Sequence, residues 1–224
     1  MMDAPPPLLW NGAPGRGHTT IILAHGAGAA MDCKFMNDFA AGLAEAGFAV
    51  ARFEFPYMHK RRLGVGRSGA PDPTPVLLET WRRAIAAVDA AGVSRRALVI
   101  SGKSLGGRMA SMVADDEGTL GLACLGYPFH PPGKPATAAR LEHLATLSTP
   151  TLIVQGTRDQ FGNQDEVAGY PLSRAIRLHW LPDGDHSLKP RQRRSGRTEK
   201  QNVAEAIAAV ATFANDLAET PRPL

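Results

Sequence analysis

The chain has 224 residues, 44% hydrophobic and 21% charged, with a net charge of +4. That is an ordinary globular composition, long enough for one sizeable core, and it is read as a single domain. No apolar run approaches the roughly 20 residues that cross a bilayer, and the start "MMDAPPPLLWNGAPGRGH" has an acid and a proline run where a secretory signal needs a positive start and an apolar stretch, so a cytoplasmic protein is expected.

Residues 1–18 have room for at most one short strand, "LLW". "TTIILAHG" (19–26) reads as a strand ending in glycine. "CKFMNDFAAGLAEAG" (33–47) has helical spacing, with Phe35, Phe39, Leu43 and Ala46 on one face and Gly47 as the stop. "FAVARFEF" (48–55) is a strand, and residues 61–75, rich in Arg, Gly and Pro, read as a loop. Leu77, Trp81, Ala84, Ile85 and Val88 mark a helix over 76–91. A strand over 97–101 breaks at Gly102-Lys103-Ser104-Leu105-Gly106 and restarts as a helix carrying Met109, Met112 and Val113. Strands follow at 120–127, 151–156 and 175–181, with a proline-rich loop "PFHPPGKPA" and a short helix at 137–146 between the first two. A last helix, 199–218, carries Val203, Ile207, Val210, Ala214 and Leu217.

This alternation predicts a mainly parallel sheet with helices on both faces. The chain shows no internal repeat, and no connection is long enough for a cap domain. The two cysteines, Cys33 and Cys124, lack metal-ligand spacing and read as reduced, buried thiols. The basic residues cluster: "SLKPRQRRSGRTEK" (187–200) holds six against the single acid Glu199. A nucleic-acid surface would spread its charge over a face, so this run reads as a solvated loop or as a flap that meets an anionic substrate.

In parallel α/β sheets, ligands bind outside the carboxyl ends of the strands. Three polar residues stand just beyond strand ends: Ser104, Asp159 in "QGTRDQFG" and His186 in "PDGDHSL". Gly102-Lys103-Ser104-Leu105-Gly106 fits G-x-S-x-G, the sharp strand-to-helix turn that exposes a serine hydroxyl. A serine is a poor nucleophile until a base takes its proton. Imidazole suits that task because its ordinary pKa lies near the working pH, and a carboxylate holds the ring in the required tautomer. The developing oxyanion needs backbone N–H donors. These are expected from Leu105 and from Ala27 in "AHGAGAAMD", with Gly26 and Gly28 as alternatives. Taken singly, Asp159 reads equally well as a turn residue, and His25, which precedes the serine, reads as support for its loop. Asp183 and Asp185 flank His186 too closely to orient its ring. Tyr127, Phe129, His130 and Lys134 follow a strand and are expected to overhang the pocket, although a proline-stiffened loop without a catalytic part accounts for them as well. If the basic run is a flap, Lys189 with Lys134, Arg158 and its arginines forms a positive rim; a solvated loop accounts for the run as well, and Arg158, like Arg108, reads as a surface or ion-pairing group.

From Thr19 to the last helix the chain resembles the α/β-hydrolases, on "AHGAGA", "GKSLGG", "QGTRDQFG" and "GDHSL" and on the order Ser, Asp, His. More narrowly, "GKSLGGRMAS", "GYPFHPPGKP", "QGTRDQFG" and "GDHSLKPRQRRSGRTE" resemble the hydrolase-like family that includes the testis-expressed protein and an NSL-complex subunit of animals. The resemblance implies a three-layer fold and a triad at Ser104, Asp159 and His186. It brings no settled substrate; the serine, base and carboxylate themselves read as a hydrolase of an ester or thioester, with a peptide the less expected substrate. Because some animal members serve as complex subunits, a non-catalytic scaffold is the alternative. No metal or organic cofactor is expected, since Gly102-Lys103-Ser104 lacks the upstream glycine of a phosphate loop. The expected partner is a small ester, an anionic one if the basic run is a flap, with no membrane and no nucleic acid, and the expected state is a monomer or homodimer.

Overall fold

A computed structural model describes residues 5–15, 19–65 and 70–220. Parts of the predicted N-terminal segment (1–4, 16–18) and of the predicted loop (66–69) lie outside the described residues. Among the described residues, seven strands form one sheet: β1 (Leu9–Asn11), β2 (Thr20–Ala24), β3 (Ala49–Phe53), β4 (Leu98–Lys103), β5 (Gly121–Leu125), β6 (Thr151–Gly156) and β7 (Ile176–Leu181). Their spatial order is β1-β3-β2-β4-β5-β6-β7; β1 runs antiparallel to β3 and every other pair is parallel. The chain thus builds outward from β2 in one direction, then returns and builds from β4 in the other. The crevice between the ends of β2 and β4 is the switch point at which such sheets bind ligands.

The helices are α1 (Lys34–Glu45), α2 (Pro56–Arg62), α3 (Thr74–Ala90), α4 (Leu105–Ser111), α5 (Ala114–Glu117), α6 (Ala138–Thr146), α7 (Gln164–Val167), α8 (Gln192–Ser195) and α9 (Glu199–Glu219). Alternation along the strands divides the core. Ile21 and Leu23 of β2 face the side covered by α1 and α9, through Met36, Phe39, Leu43, Ala206, Val210 and Phe213. Ile22 and Ala24 face the other side, covered by α2, α3, α4 and α6 through Met58, Leu77, Trp81, Ile85, Met109, Leu141 and Leu144. A strand buried on both faces reads as a continuous apolar run, as "TIILA" does. Among the described residues, no separate cap domain stands over the strand ends.

The differences from the sequence reading are local. Residues 56–62 form α2, with Pro56 at its first position, where a missing N–H costs nothing. The expected loop 61–75 therefore starts later and is shortened at its far end by α3. The helix after Ser104 breaks at Met112–Val113 and resumes as the single turn α5. In α1, Met36 rather than Phe35 joins the buried face, and Ala46 caps the helix in the open. Cys124 is buried, as expected, but Cys33 is only partly so.

Candidate active site

Between β4 and α4 one residue makes the whole turn. Ser104 sits at φ 50° and ψ −114°, a region that non-glycine residues avoid at a cost of about 1–3 kcal/mol. Close packing of the backbone enforces it. A Cβ on Gly106 would lie 2.6 Å from the His25 carbonyl oxygen and 2.7 Å from that of Ala24, and one on Gly107 would lie 2.6 Å from the Gly102 carbonyl. A Cβ on Gly102 would collide with the backbone of Gly106 and Gly107. The three glycines let β2, β4 and α4 meet at main-chain contact. The Ser104 amide donates to the Leu125 carbonyl at 2.9 Å, and the Trp81 indole N–H donates to the Gly106 carbonyl at 3.2 Å, pinning the turn from both sides.

The Ser104 hydroxyl does not cap its own helix. It lies 2.8 Å from Nε2 of His186, whose Nδ1 lies 2.8 Å from Oδ2 of Asp159. Asp159 is fully buried and follows β6. Its Oδ1 accepts from the Phe161 amide at 2.8 Å, and its Oδ2 also accepts from Nε2 of Gln155 at 2.9 Å. A carboxylate can only accept, so Nδ1 of His186 carries the proton and Nε2 is left to accept from the serine hydroxyl. The Phe161 ring packs on the imidazole at a centroid distance of 4.1 Å. The loop that carries His186 is sharply bent. Asp183 and Leu188 both have positive φ, and with Ser104 they are the non-glycine residues in that region among the described residues. Asp185 accepts from the amides of Ser187 and Lys189, and buried Asn202 of α9 donates to the Leu188 carbonyl at 2.9 Å.

The loop after β2 completes the crevice. His25 accepts from the Phe55 amide through Nε2 at 3.1 Å and places Nδ1 2.7 Å from the Gly26 carbonyl. Burial lowers its pKa, which favours the neutral ring those two bonds require. The Tyr57 hydroxyl donates to the Ala27 carbonyl at 3.1 Å. Neither the Ala27 nor the Leu105 amide has an acceptor among the described residues. A cleft of about 460 Å³ opens onto Ser104 and His186. Gly26, Ala27, Gly28, Ala29, Cys33, Phe35, Met36 and Phe161 form much of its lining, and Lys103 and Glu199 supply its charged groups.

Several expected pocket residues lie elsewhere. Tyr127, Phe129 and His130 are buried beneath the site rather than overhanging it. The Tyr127 amide donates to Oε1 of Gln155, and its hydroxyl meets Ser111 and His143. The His130 amide donates to the Phe161 carbonyl and its ring meets Glu166. The loop after β5 folds inward because Gln155 offers its main chain partners there. Lys134 is exposed away from the cleft, and Lys189 pairs with Glu199 at 3.6 Å. Part of the expected positive rim is neutralised by ion pairs. Arg191 is held by Asp183, whose carboxyl that contact pushes down to about 2, and Arg158 faces Asp183 and Asp185. The two aspartates beside His186 thus hold arginines and the loop's own amides; Asp159 alone of the three reaches the ring.

Three contributors went unseen in the sequence. Gln155 had a signal, a lone polar residue inside the apolar strand "TLIVQG". The cleft wall from Cys33, Phe35 and Met36 had none, since α1 showed only its core-facing period. Lys103, a charge inside the nucleophile turn, was visible but unassigned.

Residues 17–215 match the family described as "Alpha/beta hydrolase domain". Among solved structures, an alpha-beta serine hydrolase homologue from Coxiella burnetii is 20% identical, with a TM-score of 0.67, covering 92% of this chain and 89% of its own. XC6422 from Xanthomonas campestris, described as an a/b serine hydrolase without lid, is 18% identical (TM-score 0.65, 96% of this chain and 90% of its own). Dienelactone hydrolase from Anabaena variabilis is 18% identical (TM-score 0.66, 93% and 89%). At these identities the likeness is one of fold. No curated protein was found to match the chain.

Proposed function

We propose, from the premise that this chain belongs to the α/β-hydrolase domain family, that it is a serine hydrolase cleaving carboxylic esters or thioesters through an acyl-enzyme on Ser104. The observation that carries this reading is the unbroken chain from Ser104 Oγ through His186 to buried Asp159, two hydrogen bonds of 2.8 Å at the mouth of an open cleft. His186 Nε2 takes the hydroxyl proton as Oγ attacks the carbonyl carbon. Asp159 keeps the proton on Nδ1 and stabilises the imidazolium. The amides of Ala27 and Leu105 donate to the oxyanion. Collapse expels the alcohol or thiol, which takes the proton from His186. Water then gives a proton to the same nitrogen as it attacks the acyl carbon, and on collapse Ser104 Oγ leaves and takes that proton back from His186, releasing the acid and restoring both groups.

The cleft wall of alanine, methionine and phenylalanine favours an apolar acyl group, and Arg191 and Arg158 of the basic loops are engaged by Asp183. The four stretches that resemble the hydrolase-like family of the testis-expressed protein favour a place near it, and the subunit members of that family keep the scaffold reading as the contrasting outcome of the tests.

Short p-nitrophenyl esters are expected to turn over with an initial burst of one product per enzyme. Asp159→Asn is expected to lower kcat by roughly 10²–10⁴ by favouring the wrong tautomer. Asp183→Asn, which loosens Arg191 and Arg158 but touches no part of the triad, is expected to stay within about threefold. Steady-state kinetics decide it. A silent Asp159→Asn beside an inactive Asp183→Asn would reassign the acid.

A further inference from the structure

Lys103 stands between the first glycine of the turn and Ser104, and its side chain turns inward. Nζ donates to the main-chain carbonyl of His186 at 2.5 Å, across 83 residues of sequence. Among the described residues no carboxylate lies within ion-pair distance of it. Burial pushes its amine down to about 8, while the carboxylates of Asp159 and Asp185 act in the opposite sense. Gly126 leaves the necessary room: a Cβ there would lie 2.8 Å from Lys103 Nζ, 2.8 Å from the His186 carbonyl oxygen and 3.4 Å from His186 Nδ1.

Lys103 is half-buried, with Nζ turned to the His186 carbonyl, and drawing an ammonium even partly out of water is costly unless its donors are used. An apolar side chain would fill the same space without that cost, so packing alone does not account for a lysine here. What the amine does is join the two loops that must be in register. The imidazole is held at Nδ1 by Asp159 and on its face by Phe161. Those contacts fix the ring relative to the loop after β6. The contact with Lys103 ties the peptide of His186 to the turn that carries Ser104.

We propose that Lys103 is a positioning residue, whose amine ties the His186 main chain to the Ser104 turn and so sets the aim of the imidazole at the serine hydroxyl. The inference rests on the reading of Ser104 and His186 as the reacting pair. The distances involved are unforgiving, because a misplacement of about 1 Å costs on the order of 10² in rate.

The test compares the parent protein with Lys103→Met, which keeps the volume and loses the donor, and Lys103→Arg, which keeps a charged donor. Two readouts are taken: kcat and KM for a neutral p-nitrophenyl ester, and the far-downfield proton resonance of His186 Nδ1–H, identified by its loss in His186→Ala. In Lys103→Met, kcat is expected to fall by roughly 10²-fold with KM little changed, and the resonance to weaken or vanish. Lys103→Arg is expected to recover much of both. Should Lys103→Met fail to fold, Lys103→Gln, too short to reach the carbonyl, takes its place. A folded Met or Gln variant with parental kcat and an unchanged resonance overturns the inference. So does a variant that raises KM for carboxylate-bearing esters alone, since Nζ would then be a substrate-binding group. If the parent protein turns over no ester, the functional reading fails, and the resonance still decides the role of Lys103.

Discussion

Ser104→Ala is expected to lower kcat for ester hydrolysis by roughly 10⁴–10⁶, and His186→Ala to cost about as much. The reason lies in how the two share one event. Without Nε2 at 2.8 Å, the hydroxyl has no acceptor for the proton it must lose on attack. Without the hydroxyl, the imidazole has no proton to move. The double variant is therefore expected to be no slower than either single one. What activity remains belongs to the cleft and to the amides of Ala27 and Leu105, which neither substitution removes. Steady-state kinetics on a p-nitrophenyl ester, with unfolding midpoints as a control on folding, measure this. Losses that multiplied in the double variant would mean that the two residues act separately, contrary to the mechanism proposed.

The second large effect is expected from a single methyl group. In Gly106→Ala, the new Cβ would lie 2.6 Å and 2.7 Å from two carbonyl oxygens at the end of β2, His25 and Ala24. Both are main-chain atoms in the middle of the sheet, so neither can swing aside as a side-chain tip could. Either α4 moves away from β2 or the variant does not fold. We expect a destabilisation on the order of 3 kcal/mol or more in urea unfolding, at the upper end for overpacking because backbone meets backbone. The surviving folded fraction is expected to lose hydrolysis by at least about 10²-fold, since the shift moves Ser104 from His186. Gly28→Ala is the matched control: it lies on the same cleft, and nothing stands within 4 Å of the added Cβ. Equal stability of Gly106→Ala and the parent would refute the packing argument for the turn.

These expectations separate what a one-dimensional pattern holds from what it does not. Strands buried on both faces announce themselves as runs such as "TIILA", and amphipathic helices by their spacing, so the layers and the order of Ser104, Asp159 and His186 along the strand ends were legible. The elbow glycines were legible too, since close backbone approach leaves no other residue type. The direction in which a loop folds was not. Tyr127, Phe129 and His130 leave β5 on the side where pockets form, yet Gln155, one strand away, holds the Tyr127 main chain inward, and the His130 amide is held by the Phe161 carbonyl. Charge counting failed for a related reason. The basic run looks unopposed in sequence, but Asp183, eight residues before Arg191, curls back to hold it. Short helices were also lost. In α7 the capping pair Asn163 and Glu166 was in plain view, but four residues are too few to show a period. In α2 the basic run His59, Lys60, Arg61 and Arg62 at its end obscured a helix, whose Arg62 reaches Asp32 and Glu54.

The central claim is that Ser104 is a nucleophile activated by its neighbours, and labelling with a fluorophosphonate probe followed by peptide mapping tests it most directly. The probe bonds covalently to a serine only where a base accepts its proton and the site admits a tetrahedral phosphoryl group. The account predicts stoichiometric label on the peptide containing Ser104, no label on other serines, and its loss in His186→Ala. A pure, folded protein that takes no label at Ser104, or takes it equally with His186 replaced, would contradict the account and leave the fold serving as a scaffold.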